Sequence, residues 1–459
     1  MKTLICFITL FSLSVYLQSD TQAQTAAVPA VAQEAFNKGI IAAELPNYPL
    51  AIRFFEDARQ LAPEAPAIYF NLGLAESNIP GRELRAIAWF GAYLAADPLA
   101  PNAAAVKEEI GALDLKNQSN LTRLISSVED AADQVPGDKS NYLRGVARLW
   151  AKVGDIPTAV RIADLIQQLQ PKENAQAAIA EAQAEAGDIA GALKTAGLIS
   201  YAFPKTLAQI DIADAQIKSG DISGGQRTLA GAQKSAEFIQ REDFKSLIRS
   251  ALAEVQAESG DIAGAQKTAD LIRQEYYISL ALVEVAKAKL KVGDVAGAQN
   301  TLVNALSAAR SIRQADYQLV KLADFRSDAL RHIAIAQAKS GDLGRAKTTA
   351  ELIQDSKLKI LAQKAIAEAQ VTPRVATTAN SNTQPSITVS DWLDKLDDRD
   401  EYSDCALNTG PFLGLAGYLK SLPSSSDPQT IFWGLQGAAY KIASAQNAIH
   451  KMLRQPRPR

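Results

Sequence analysis

The sequence predicts an all-α fold, a solenoid of stacked helical hairpins, and three observations support this prediction. A Gly-Asp pair recurs six times, with glycine-to-glycine spacings of 33, 33, 40, 33 and 48 residues. A period in this range is typical of helical-hairpin arrays. Small and aliphatic residues keep constant positions around each pair, and aromatic residues make up only 6% of the chain. The six pairs are Gly154-Asp155, Gly187-Asp188, Gly220-Asp221, Gly260-Asp261, Gly293-Asp294 and Gly341-Asp342.

The residues before each glycine predict a helix with one narrow apolar face. With the glycine as position zero, position −7 is always alanine, position −8 is aliphatic and position −3 is apolar. These positions share a helical face, because neighbours on a helix surface recur every three or four residues. A constant alanine indicates a close helix–helix contact that a larger side chain would overpack. The alanines are Ala147, Ala180, Ala213, Ala253, Ala286 and Ala334.

The ends of this first helix are also predicted from residue type. Position −14 is Ser or Thr in five of the six repeats, and we expect its hydroxyl to cap a helix of about 13 residues. The glycine should end the helix in the left-handed conformation, and the following Asp should cap a second helix. The hydroxyl residues are Ser140, Thr206, Ser246, Ser279 and Ser327.

The second helix of each hairpin has an apolar face of its own. Position +2 is always aliphatic and position +5 is always small, and in four repeats Ala and Ile follow at +9 and +12. In the third and fifth repeats they follow at +16 and +19. Seven extra residues are close to two turns, so these helices should be about 10 Å longer with the face in register. One such hairpin cannot bury both faces alone, which favours a stack.

Residues 1–23 have the pattern of a secretory signal peptide. Lys2 supplies the positive start, Leu4 to Leu17 the apolar stretch, and Thr21-Gln22-Ala23 the small-residue cleavage site. The apolar stretch is short for a membrane span. We therefore expect an exported bacterial protein, periplasmic or secreted, with no integral membrane span after cleavage. Cleavage would leave one cysteine, Cys405, and therefore no internal disulfide.

Residues 32–98 carry small, aromatic and terminating residues at characteristic places, and this stretch resembles the tetratricopeptide repeat family. An extra residue near Pro80-Gly81, and Tyr93 where Ala is usual, depart from the family pattern. The resemblance implies a pair of tetratricopeptide repeats and a following helix over residues 32–113. It also implies that the Gly-Asp array is a degenerate form of the same repeat and that both belong to one superhelix. The matching residues are Gly39, Tyr48, Ala51, Ile52, Phe55, Ala58 and Pro63, then Leu72, Gly73, Ala86, Ile87, Phe90 and Pro98.

The remaining boundaries follow from composition and from the repeat. Residues 114–139 should form a connecting helix, centred on 119–134. Residues 140–370 should form six degenerate hairpin repeats and a terminal capping helix, because Ile366-Ala367-Glu368-Ala369-Gln370 repeats the first-helix phrase without a Gly-Asp pair after it. Residues 371–387 are rich in Thr, Asn, Ser and Pro, which is typical of a flexible linker.

Residues 388–459 are expected to form a separate C-terminal helical hairpin. Within them, apolar residues alternate four and three apart, as in a heptad seam. Such a stripe should be covered, either by a helix around Phe412, Leu415, Leu419 and Leu422 or by a second chain. The Pro423 to Pro428 turn favours the intramolecular hairpin and a monomer. The stripe consists of Ile431, Leu435, Ala438, Ile442, Ala445, Ile449 and Met452.

The sequence offers little support for catalysis, for a cofactor or for a metal site. The only two histidines, His332 and His450, lie in different segments, and no Cys or His cluster has metal-ligand spacing. Residues 341–348 (GDLGRAKT) resemble a phosphate loop only superficially, because Ala346 replaces a required Gly. The net charge of −2 argues against nucleic-acid binding.

We therefore expect a protein-interaction scaffold without catalysis, whose partner is a protein or peptide. The family resemblance implies that first-helix side chains on the concave side contact the ligand. Two alternatives remain open, a helical-repeat envelope enzyme and a structural or oligomerising envelope component. An enzyme should bring titratable groups together in a pocket, whereas a scaffold should present a long groove. The residues at the implied binding positions are Phe36, Ile40, Phe70, Leu74 and Asn78.

Overall fold

The computed structural model describes residues 28–313, 324–371 and 428–454, and these residues are mostly helical. Over these residues it contains nineteen α-helices and no strand, so the prediction of an all-α fold is confirmed. The predicted signal peptide lies outside the described residues, as does the predicted linker beyond Val371.

The nineteen helices follow one another in chain order with short connections between most of them. They are α1 (Ala30–Glu44), α2 (Tyr48–Leu61), α3 (Pro66–Ser77), α4 (Glu83–Ala96), α5 (Ala103–Gln134), α6 (Ser140–Lys152), α7 (Ile156–Asp164), α8 (Leu169–Glu185), α9 (Ile189–Gly197), α10 (Ala202–Lys218), α11 (Ile222–Ala236), α12 (Glu242–Glu258), α13 (Ile262–Asp270), α14 (Glu275–Lys291), α15 (Val295–Ser311), α16 (Phe325–Lys339), α17 (Leu343–Glu351), α18 (Ser356–Val371) and α19 (Pro428–Arg454).

The helices group into two compact units. Among the described residues, the first unit holds 28–149 and 428–454, and the second holds 150–313 and 324–371. The division falls inside α6. The C-terminal helix α19 thus belongs to the first unit, which differs from the separate C-terminal domain that the sequence predicts.

The first unit begins with two helical hairpins, α1 with α2 and α3 with α4. Gly39 faces the ring of Phe55, and a Cβ atom placed on it would lie 2.4 Å from a ring carbon. Gly73 faces Phe90 in the same way, at 2.6 Å. The small and aromatic residues that carry the family resemblance are therefore in direct contact, which explains why glycine is needed at both positions.

Helix α5 is a single helix of 32 residues, where the sequence predicts two successive helices. The stretch between the two predicted helices, around Asn117, is polar but contains neither proline nor glycine. Asn117 is itself buried on the same face as Leu113 and Leu121. The apolar face therefore continues through the polar stretch, and packing overrides the weak local helix propensity there.

Helix α19 packs against α5 and α4 of the same chain. Phe432 meets Tyr142 edge to face, with ring centroids 4.9 Å apart, and Ile449 and Met452 join the buried core of the first unit. Among the described residues, the apolar stripe thus packs on α5 and α4. The segment around Phe412 that was expected to cover it lies outside the described residues.

The second unit is built from helical hairpins whose first helices also pack on one another in sequence. The pairs α8/α9, α10/α11, α12/α13, α14/α15 and α16/α17 each form a hairpin, and α18 packs on the last of them. We number the Gly-Asp repeats 1 to 6, starting with α6/α7. The six −7 alanines are completely buried, at 0% exposure, which confirms the predicted close contacts.

The predicted turn chemistry is confirmed in all six repeats. Each glycine has a positive φ, between 83° and 95°. Each Asp side chain accepts a hydrogen bond from the backbone amide three residues later, over 2.8 to 3.1 Å. The capping residues are Asp155, Asp188, Asp221, Asp261, Asp294 and Asp342.

The prediction that position −14 begins a first helix of about 13 residues fits repeat 1, where α6 runs from Ser140 over 13 residues, but it is wrong for repeats 3 to 6. The first helices of repeats 2 to 5 begin four residues earlier and are 17 residues long. Thr206 therefore lies inside α10, where its hydroxyl donates to the carbonyl of Ala202 over 2.7 Å. In repeat 6 the Ser327 hydroxyl accepts from the amides of Gln354 and Asp355. That hydroxyl thus caps the connection to the next helix rather than its own first turn.

The second helices of repeats 3 and 5 are longer than the others, as predicted. They contain 15 and 17 residues, against nine in repeats 1, 2, 4 and 6. At 1.5 Å per residue they extend about 9 and 12 Å further. In repeat 3 the +5 position is Gly225. A Cβ atom placed on it would lie 2.6 Å from a side-chain carbon of Ile217, so a larger residue has no room there.

Candidate interaction site

The five residues implied by the family resemblance differ in their exposure. Phe36 and Phe70 are buried in the core of the first unit, where their rings contact Phe55, Phe90 and Tyr93. Ile40 and Leu74 are half-buried, and Asn78 is exposed, with its amide donating to the Leu74 carbonyl over 2.8 Å. Only the last three present surface to solvent, and partner binding by these residues stays a prediction.

A second candidate surface lies on the first helices of repeats 2 to 5. Positions −9, −6 and −2 share one helical face, and seven of these twelve positions are acidic. Because consecutive first helices pack on each other, the carboxyl groups form one continuous surface. We call this the acidic face, and it consists of Glu181, Glu185, Asp211, Asp214, Glu254, Glu258 and Glu284.

Two lysines of the same surface pair with members of the acidic face. Lys218 donates to Asp214 over 2.6 Å, and Lys287 donates to Glu284 over 2.6 Å. The other oxygen of the Asp214 carboxyl, Oδ1, is buried and accepts no hydrogen bond. A third lysine, Lys291, occupies another of these positions, so seven acidic and three basic side chains share the surface.

Burial and neighbouring carboxylates raise the pKa of two members of the acidic face, Asp211 and Glu254. Burial raises the pKa of Asp211 to about 8, and Glu181, Asp214 and Glu185 add to this effect while Lys218 opposes it. Glu181 and Glu185 belong to repeat 2, whereas Asp211 belongs to repeat 3. The repulsion therefore acts between neighbouring repeats, and Asp211 is mostly protonated at pH 7.

The same effect extends to repeats 4 and 5. The pKa of Glu254 is raised by burial first, then by the charges of Glu284 and Glu258, with Lys287 acting in the opposite direction. A bound cation would lower the pKa of both Asp211 and Glu254, because an opposite charge favours the ionised carboxylate. The acidic face is thus suited to a positively charged ligand.

A different polar cluster joins repeats 5 and 6. Tyr276 donates to Asp328 over 2.9 Å, and Arg331 donates to the other oxygen of Asp328 over 2.7 Å. Burial, reinforced by Asp328, raises the pKa of Tyr276, while burial and Arg331 lower the pKa of His332. These groups hold one another across α14 and α16, so we interpret the cluster as a joint between repeats.

Polar pairs inside the hairpins were missed by the sequence reasoning. A side chain at position −4 bonds a threonine at +8 in repeats 2 to 5, which ties the first helix to the second. The distances are 2.7 Å in three repeats and 2.8 Å in the fourth. The recurrence of Gln at −4 and Thr at +8 was the available signal. The pairs are Gln183–Thr195, Gln216–Thr228, Gln256–Thr268 and Lys289–Thr301.

Repeat 6 has the same two residue types without the bond. Gln337 is only 1% exposed, and neither polar atom of its side-chain amide has a hydrogen-bond partner. A buried amide in this state costs stability. Repeat 6 therefore provides an internal comparison for the four bonded pairs.

Within the described part of the chain, no group of three or more His, Cys, Asp or Glu side chains is arranged to hold a metal ion. None of the described helices combines the length and apolar character needed to cross a bilayer. No protein-family model matches the chain, and no curated protein sequence matches it either.

Proposed function

We propose that this protein is an exported interaction scaffold, a tetratricopeptide-like solenoid that binds a basic protein or peptide segment on its acidic face and performs no catalysis. The paired helices and the six identical turns support the solenoid. The acidic face carries the proposal of a basic partner, because charges from the first helices of four consecutive repeats act on Asp211 and Glu254 there.

The acidic face is under repulsion that a basic ligand would relieve. In the free protein, burial and neighbouring carboxylates raise the pKa values of Asp211 and Glu254. Lys or Arg side chains of a partner would supply the missing positive charge. Electrostatic complementarity of this kind speeds encounter and selects partners, which suits a scaffold.

The spacing of the repeats suggests the form of the partner. Packed helices lie about 8–10 Å apart, and an extended chain advances about 3.3 Å per residue. A basic residue at every third position of an extended peptide would therefore meet one first helix after another. A peptide with its basic residues clustered could engage only one or two helices.

The test measures binding of two fluorescent peptides of identical composition, one with Lys at every third position and one with its Lys residues clustered. We expect tighter binding of the first peptide, weakened by salt. The variant Glu181→Gln/Glu254→Gln/Glu258→Gln should lose about tenfold in affinity. Fluorescence anisotropy at low and high salt gives both quantities.

A matched control removes three exposed carboxylates from the first unit, through Glu44→Gln, Asp57→Asn and Glu64→Gln. The change in net charge is the same, so a general electrostatic effect would weaken binding equally in both variants. Equal weakening, or equal affinity of the two peptides for the unmodified protein, would contradict the proposed site.

A further inference from the structure

The second unit has another distinctive surface where each second helix ends. The chain there reads Ala-x-Leu-Ile, or Ala-x-Phe-Ile in repeat 3. The Ala and the Ile are buried, while the Leu or Phe directly before the Ile is exposed. Five of the six repeats share this feature. We call these residues the apolar edge, and their exposed fractions are Leu165 55%, Leu198 65%, Phe238 73%, Leu271 57% and Leu352 40%.

The fold itself does not require an apolar residue at this position. In repeat 5 the equivalent residue is Ser311, at the end of α15, and the Ala and Ile that flank the position are buried there as in the other repeats. Single exposed leucines are ordinary on protein surfaces. Recurrence at one structural position in five repeats is different, because each exposed side chain adds to the same surface.

Aromatic residues are concentrated along the same edge. Of the eight aromatic side chains in the described part of the second unit, all but Trp150 lie in the connections after the second helices or in the first turn of the next helix. Tyr201 and Phe238 are exposed there, whereas the other five are half-buried and also pack against the core of the second unit. Tyr and Phe are enriched at the centres of protein interfaces. These seven residues are Tyr201, Phe203, Phe238, Phe244, Tyr276, Tyr277 and Phe325.

Contacts join the four connections that follow the second helices of repeats 2 to 5. The rings of Phe203 and Phe244 lie 4.7 Å apart, which joins repeats 3 and 4. The rings of Tyr276 and Phe325 lie 4.9 Å apart, which joins repeats 5 and 6. Between these two pairs, Arg273 approaches Glu242 to 3.9 Å. The exposed Leu198, Phe238 and Leu271 therefore lie on connections that contact one another in sequence.

We propose that the apolar edge is a self-association surface through which two copies of this chain pair. A partner that covers the whole edge must present apolar groups with the period of the stacked repeats. A second copy of the chain has this period because its repeats are the same. A two-fold axis running along the edge would place each connection opposite the same connection of the other chain. The two facing connections would then run in opposite directions.

The charges of the two central connections fit this arrangement. In repeat 3 the connection begins with Glu237 and continues to Arg241, and in repeat 4 it begins with Asp270 and continues to Arg273. Reversal places the acid of one chain against the arginine of the other. Glu237 and Arg273 are 65% and 78% exposed, and within their own chain they make only long contacts, at 3.6 Å to Arg249 and 3.9 Å to Glu242. Arg241 is bonded to Asp243 of its own chain and is still 55% exposed.

This proposal is independent of the proposed function and departs from the monomer expected from the sequence. The apolar edge borders the start of the first helices, and the acidic face occupies their middle and last turns. In α10 the two surfaces are nearest between Phe203 and Asp211, which are eight residues or about 12 Å apart. Pairing through the edge would leave the acidic face accessible in both copies.

The test is sedimentation of the full chain beginning at Gln24, over protein concentrations of about 1–50 μM. We expect a dimer whose dissociation constant rises at least about 100-fold in Phe238→Ser/Leu271→Ser. The matched control is Leu193→Ser/Val303→Ser, because both residues are 44% exposed in the same unit but lie outside the edge. Circular dichroism melts verify that both variants fold.

A charge-swap arm tests the two-fold arrangement. Asp270→Arg should weaken the dimer about tenfold by placing like charges together, and adding Arg273→Asp should restore it. A monomeric wild-type chain at 50 μM would overturn the proposal. Equal dissociation of the edge variant and its control, or failure of the second substitution to restore pairing, would also overturn it.

Discussion

The residue Asp211 shows how stacking changes the chemistry of an ordinary side chain. Its carboxyl group is half-buried and is surrounded by carboxylates from α8 and α10, so its pKa rises to about 8. A raised carboxyl pKa makes ionisation unfavourable in the folded state. Its contribution to stability is therefore complete below the unfolded-state pKa near 4 and is lost as the pH rises through 8.

Asp211→Asn should remove this pH dependence, because the amide cannot ionise. We expect the variant to exceed the wild type in free energy of unfolding by about 1–3 kcal/mol at pH 9, with a smaller difference at pH 5. Urea denaturation at the two pH values measures this. Asp57→Asn is the exposed control. Parallel pH profiles for wild type and Asp211→Asn would show that the carboxyl is ionised at low cost.

The glycine of each turn has a purely backbone role. Gly260 has a φ of 88°, yet a Cβ atom placed on it would have no neighbour within 4 Å. Gly260→Val should therefore lower the free energy of unfolding by about 1–2 kcal/mol through backbone strain alone, and Gly260→Asn by less, since Asn tolerates this conformation. Equal losses in denaturant melts of the two variants would point to a steric cause instead.

At the scale of the helix, the sequence was informative where one residue type has one physical role. Glycine at a positive φ and Asp before a helix have few alternatives, so the turns were predicted correctly. Ser and Thr have several roles: Thr206 bonds a carbonyl of its own helix, while Ser327 caps the next connection. The helix starts were misplaced for this reason.

The Gln–Thr pairs could not be recognised before the hairpin was known, because the partners are twelve residues apart and meet only across two helices. Gln256 and Thr268 are both buried and bonded over 2.7 Å. Gln256→Leu should destabilise the protein by about 1–2 kcal/mol, since it leaves the threonine hydroxyl without its partner.

Gln337→Leu is the matched comparison for Gln256→Leu. Its buried amide has no hydrogen-bond partner, so replacement should be neutral or stabilising. In a double-mutant cycle, Gln256→Leu and Thr268→Val should show a coupling of about 1 kcal/mol. Equal losses for the two glutamine variants would mean that the side-chain bonds contribute nothing to hairpin stability.

At the scale of the whole molecule, the sequence indicated which faces need partners but not which partners they find. The apolar stripe of α19 predicted a covered helix, and its neighbour is α5, more than 300 residues away in the chain. The acidic face has a similar origin. Its carboxyl groups are visible at fixed repeat positions, yet they form one surface only after consecutive first helices pack together.

The packing of α19 predicts a specific effect on the first unit. Phe432 is completely buried against Tyr142, whereas the adjacent Trp433 is 47% exposed. Phe432→Ala should cost about 3–4 kcal/mol by leaving a cavity. Trp433→Ala should cost less, because much of its ring already contacts solvent.

Hydrogen exchange locates this effect within the molecule. If α19 is an integral part of the first unit, Phe432→Ala should speed exchange in both α19 and α5, because their packing is shared. Amides of α12, in the second unit, serve as the internal reference and should keep their rates. Faster exchange confined to α19 would show that the helix is only loosely attached. A dependence of the α19 rates on protein concentration would show instead that a second chain covers it.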